Sequence, residues 1–166
     1  MLFLKTIVAG FPLAVLLFLG SLDLAQAEGG ALGCSLYYAT RLQGAEITST
    51  NISLRNLASK GTMTVEKIDI YQSDGTLAAS LTSGKFPSGF RASLGPHQYT
   101  SLRIADVLKT PPADPGLQAI VSWTADSPGV IPLMTSVFLT FGRDPKTGAE
   151  KELRARHVMP CVPMGG

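Results

Sequence analysis

Beyond residue 27 the chain sustains no helical period. Its apolar residues alternate over short runs, and nearly every run stops at Gly, Pro, Asp or Asn. This constrains the fold more than any other feature. A period of two sends alternate side chains to opposite faces of a strand, and a helix cannot present that pattern as one apolar stripe.

The runs follow one another at near-regular spacing. NISLRN (Asn51 to Asn56) alternates Ile52 and Leu54 with polar neighbours, and VEKIDIYQ (Val65 to Gln72) alternates Ile68 and Ile70. Val65 and Ile68 are three apart, which predicts a bulge between them. SDGT (Ser73 to Thr76) predicts a hairpin with a type I′ turn, and Leu77–Thr82 is its return strand. Tyr99–Val107 alternates Leu102 and Ile104. In LQAIVSW, Leu117, Ala119, Val121 and Trp123 share one face, which makes Trp123 a core anchor. MTSVFLTF (Met134 to Phe141) suits a strand with little solvent exposure, and RDPKTG leads into KELRARHV, with Leu153, Ala155 and His157 on one side. The fold class is therefore all-β: an immunoglobulin-like antiparallel β-sandwich of about seven to nine strands, with a closed barrel as the alternative.

Residues 1–27 read as a cleaved signal peptide. Lys5 is the positive region, Ile7 to Gly20 the apolar region, and LAQA sets small residues before Glu28. Pro12 and Asp23 bound the apolar run short of a bilayer span. The division that follows is a linker over 28–34, a domain over 35–161 and a tail over 162–166. Hydrophobic residues make up 45% and charged residues 16%, enough apolar content for a packed core. A net charge of +2, with scattered basic residues, argues against nucleic acid.

After the signal there are two cysteines, Cys34 and Cys161. In an oxidising compartment such a pair is expected to be joined, which makes the protein periplasmic or secreted, with no membrane insertion after signal cleavage. The bridge would close almost the whole domain into one loop. ALGC (Ala31 to Cys34) offers Cys34 another fate, acylation at a lipobox. Against it, Asp23 and Glu28 separate the box from the apolar region and Ala31 stands where leucine is usual.

Four motifs in order, SLRN (Ser53 to Asn56), IDIYQSDG (Ile68 to Gly75), LGP (Leu94 to Pro96) and VSW (Val121 to Trp123), resemble a family of small secreted bacterial β-sandwich domains of unknown function. The resemblance spans Thr50 to Leu133. PPADPGLQA replaces the glycine-rich segment such members carry before V-x-W. It implies a sandwich and supplies no activity.

The sequence shows no nucleophile elbow, HExxH, P-loop or GxGxxG. Only His97 and His157 could serve as imidazole bases, so the protein is read as not an enzyme. The C-terminal RHVMPCVPMGG gathers soft ligands. His157 and Met159 fall on one side of a strand and Met134 lies upstream, a spacing similar to part of the motif of periplasmic copper chaperones with a cupredoxin-like sandwich. No matching His/Met pair stands near Trp123. The leading expectation is an exported, non-catalytic binding or assembly-accessory domain without a cofactor, its partner an unknown protein or envelope component. The alternative is a Cu(I) carrier using His157, Met159 and Met134. Contact is expected at a sheet edge or at the loops Gly84–Phe90, Thr110–Gly116 and Ser127–Pro132.

Overall fold

In the computed structural model the described residues are 28–38, 46–112, 114–144, 146, 147 and 149–164. The signal-peptide reading of residues 1–27 lies outside them. Among the described residues, strands make up about 60% and a helix 3%.

Two antiparallel sheets pack face to face. One contains β1 (Gly29–Tyr37), β3 (Met63–Gln72), β4 (Leu77–Thr82), β5 (Ser93–Leu94), β7 (Gly116–Ala125) and β10 (Val162–Met164), in the order β10-β1-β7-β3-β4 with β5 against β3. The other contains β2 (Glu46–Asn56), β6 (Tyr99–Arg103), β8 (Pro132–Arg143) and β9 (Glu150–Pro160), in the order β6-β2-β8-β9. The fold is the all-β sandwich that the alternation predicts.

The core fills the space between the sheets. Leu32, Cys34 and Leu36 of β1, Ile68 and Ile70 of β3 and Leu117, Ala119 and Val121 of β7 face Ile52 and Leu54 of β2 and Met134 of β8. Burying each large aliphatic side chain contributes about 1.5–3 kcal/mol. Trp123 shares this face but is only half-buried and packs at the margin of the core. The bulge expected after Val65 is present, as a register shift between Val65 and Lys67.

Several boundaries differ from expectation. Residues 29–34 are not a linker, because they form the first two thirds of β1 and pair with β7. Their glycines serve close packing: a Cβ on Gly29 would stand 3.0 Å from the Trp123 carbonyl oxygen. The tail is structured too, since Val162–Met164 pairs with Ala31–Gly33 as an edge strand. Ile104 is buried as expected, but it opens a four-residue helix, α1 (Ile104–Val107), instead of continuing β6.

The β3–β4 turn is not type I′. Gly75 alone has positive φ there, and its N–H donates to the Gln72 carbonyl, so a type I turn over Ser73 and Asp74 is closed by a glycine bulge. At Gly95–Gln98, the Gln98 N–H donates to the Gly95 carbonyl with Pro96 second and His97 at φ 58, a type II turn with histidine in the left-handed position.

One buried polar residue ties the loops to the sheets. Asn56, fully buried at the end of β2, donates from Nδ2 to the carbonyls of Gly61 and Leu94, each at 3.0 Å. Its Oδ1 accepts the Ala58 N–H at 3.0 Å. The asparagine of the SLRN motif thus acts as a structural pin, and all of its side-chain polar atoms are engaged.

Candidate functional site

The soft-ligand cluster of the C-terminus is dispersed by the fold. Cys161 is joined to Cys34 across 127 residues of sequence. The bridge ties β1 to the corner where the chain leaves β9 for β10, and the Cys161 N–H donates to the Met134 carbonyl at 2.9 Å. No free cysteine remains among the described residues. Met134 is buried at 2% exposure.

His157 and Met159 have a different setting. In the β8–β9 register Phe138 stands opposite His157 and Ser136 opposite Met159. Thr50, Ser136 and Met134 show that this side of the sheet faces the core. His157 and Met159 therefore lie on the core-facing side of the sheet. β9 is the edge strand of its sheet, and both residues are exposed.

The expected grouping of Leu153, Ala155 and His157 also fails. Register shifts at Arg154, where Leu153 pairs with Phe141 and Ala155 with Thr140, so Leu153 turns to the outer face.

Beside β9 runs an open groove of about 680 Å³, lined by Tyr37, Phe138, Thr140, His157 and Met159, with Arg156 and Val158 at its lip. The Tyr37 and Phe138 rings meet at 6.4 Å in a tilted contact. The Thr50 hydroxyl donates to the Tyr37 carbonyl and fixes the end of β1 against the second sheet. The floor is thus aromatic, and one cation, Arg156, stands at the rim.

Along the groove runs the free edge of β9. Eleven residues long, it pairs with β8 on one side and with no described strand on the other. Its two halves differ. Glu150–Arg154 carries the bulge and a loose Arg154–Glu152 ion pair at 3.6 Å, devices that blunt an edge against pairing. Ala155–Met159 has no bulge and exposes Val158 and Met159. The sequence points to a sheet edge without saying which strand forms it, because edge position is a property of strand order.

Elsewhere the charged groups serve structure. Asp144 Oδ1 accepts the N–H groups of Lys146 and Thr147, which makes the β8–β9 loop an aspartate-capped turn and holds that carboxyl below its usual range. Among the described residues no group of three His, Cys, Asp or Glu stands close enough to hold a metal ion. None of their helices is long and apolar enough to cross a membrane. Neither a protein-family model, nor a curated protein, nor a solved structure matches this chain.

Proposed function

We propose that this chain is an exported, non-catalytic binding domain, periplasmic or secreted, that assists an envelope assembly by capturing an extended segment of a partner protein along β9. The observation that carries the reading is the free edge of Ala155–Met159 set directly over the Tyr37–Phe138 groove. Strand addition there supplies main-chain hydrogen bonds to an otherwise unpaired edge, and alternate side chains of the added strand drop into the groove. The aromatic floor favours apolar residues at those positions. Arg156, without an ion-pair partner among the described residues, favours an acidic residue beside them.

The bridged cysteines fit an oxidising compartment. The non-catalytic part rests on the histidines: among the described residues, neither His97 nor His157 makes a side-chain hydrogen bond to an acid or a nucleophile. The copper alternative has less support, because His157 and Met159 share the groove while Met134 is shut in the core.

Affinity capture from the native exported fraction tests the reading, with wild-type and Met159→Asp baits compared. A protein retained by the wild type and lost from the variant is expected. Retention that is equal on both would place the contact elsewhere.

A further inference from the structure

The two outer sheet faces differ in a way the edge-strand reading does not use. On the β10-β1-β7-β3-β4 sheet, outward charges of both signs stand close together and find partners on the same face. Lys67 contacts Asp69 at 2.7 Å, and the Thr124 hydroxyl donates to Glu66. That is an ordinary solvated face.

On the outer face of the β6-β2-β8-β9 sheet, the rows from Arg55 to Arg156 carry charge of one sign; an acidic position enters only at the far end, where Glu150 stands opposite Arg143 in the ladder. The rows of this part, read from the registers, are Tyr99–Arg55–Leu133, then Ser101–Ser53–Thr135–Pro160, then Arg103–Asn51–Val137–Val158, then Leu139 beside Arg156. No Asp or Glu occupies any of these positions. Between Arg55 and Arg156 lies a shallow trough of about 310 Å³, whose walls include Ser53, Thr135, Tyr99 and Leu133. Arg55 lies over the Tyr99 ring at 5.9 Å. Tyr99, Leu133 and Val158 stand exposed around it at 65%, 41% and 51%.

We propose that this face adsorbs, without inserting, to a bilayer containing anionic phospholipid, the trough seating a headgroup phosphate between Arg55 and Arg156. Guanidinium groups bind phosphate oxygens with paired, directed hydrogen bonds, and the hydroxyls of Ser53 and Thr135 supply neutral donors at the trough walls. The exposed apolar ring decides between kinds of anion. A soluble polyanion would leave Tyr99, Leu133 and Val158 in water, whereas the headgroup region takes arginine, tyrosine and short aliphatic chains together. A four-stranded face is also broad enough to lie along a surface. This contact shares Arg156 and Val158 of β9 with the strand-addition edge and leaves Met159 free.

The test uses the full disulfide-bonded protein and phosphatidylcholine vesicles with or without phosphatidylglycerol, read by co-sedimentation. Binding is expected only with phosphatidylglycerol, and it should weaken as salt rises. Arg55→Gln and Arg156→Gln should each reduce the partition coefficient about fivefold. Leu133→Ser should reduce it while leaving the salt dependence intact, and Lys67→Gln on the opposite sheet should leave it unchanged. Circular dichroism of each variant establishes that the sandwich is intact. Equal binding to both vesicle types, no binding to either, or equally tight binding to soluble polyglutamate would overturn the proposal.

Discussion

His157 stands directly opposite Phe138 in the β8–β9 ladder, on the core side of the sheet, and yet it is solvent-exposed. The pair marks where the sandwich stops being closed. Phe138 still reaches Tyr37 of the other sheet, whereas His157, one strand further out, stands exposed. That step creates the groove, and the first prediction concerns it.

Cu(I) should not be held stoichiometrically at this step. A competition titration of the disulfide-bonded protein against a Cu(I) chelator should show no uptake that depends on both His157 and Met159. Tight uptake lost in His157→Ala and in Met159→Ala would restore the copper reading.

Removing the bridge should cost much of the domain's stability. Cys34 and Cys161 close a loop of 127 residues, for which chain entropy gives on the order of 4–5 kcal/mol. Cys34→Ala paired with Cys161→Ala should lower the urea midpoint strongly, and reduction of the wild type should do the same. An unchanged midpoint would mean that β10 and the β9 corner contribute little.

Asn56→Ala should destabilise by at least about 3 kcal/mol. It strips partners from the carbonyls of Gly61 and Leu94 and from the Ala58 N–H. Gly61→Ala nearby should cost about 2–3 kcal/mol, because Gly61 sits at φ +82 and an added Cβ would collide with Ser127 Oγ and come within 2.8 Å of Val130. Urea unfolding of both variants measures these effects directly. A loss below about 1 kcal/mol for Asn56→Ala would contradict its role as a pin.

Stability should decline in acid. Burial pushes the Asp69 carboxyl up, but the Lys67 ammonium and the Ser80 hydroxyl outweigh it, so the group sits below its usual 3.8. Asp126 is held low by the Thr62 N–H, Asp74 by the Thr76 N–H and Asp114 by the Ser73 hydroxyl. Depressed carboxyls contribute stability that is present above their unfolded values and lost as pH falls through the folded ones. Lys67 is raised by its hydrogen bond to Asp69, so its contribution is present below 10.5 and lost as pH rises further. The urea midpoint should hold level from about pH 5 to about pH 9 and fall on the acid side below about pH 4.

Much of the core was legible because alternation alone reports it. Ile52, Leu54, Ile68, Ile70, Val121 and Met134 all face inward as their spacing requires. Where the reading failed, composition had stood in for pattern. The glycines of residues 29–33 suggested a linker, although Leu32, Cys34 and Leu36 already alternated, and the glycines instead let β1 approach Trp123. The one-residue bulge at Arg154 reversed the face of Leu153, and no residue type announces it. The exposure of His157 depends on which strand lies at an edge, and that order emerges only once the sheets are assembled.

The central claim, capture of an extended partner along β9, is tested most directly by photo-crosslinking in the native envelope. A photoreactive residue replaces Val158 on the free edge or, as the control, Gln118 in the middle of the opposite sheet. The account predicts a single dominant crosslinked partner from position 158 and none from position 118, with the partner's attached peptide extended and apolar at alternate residues. Crosslinking of the same partner from position 118 alone would contradict it.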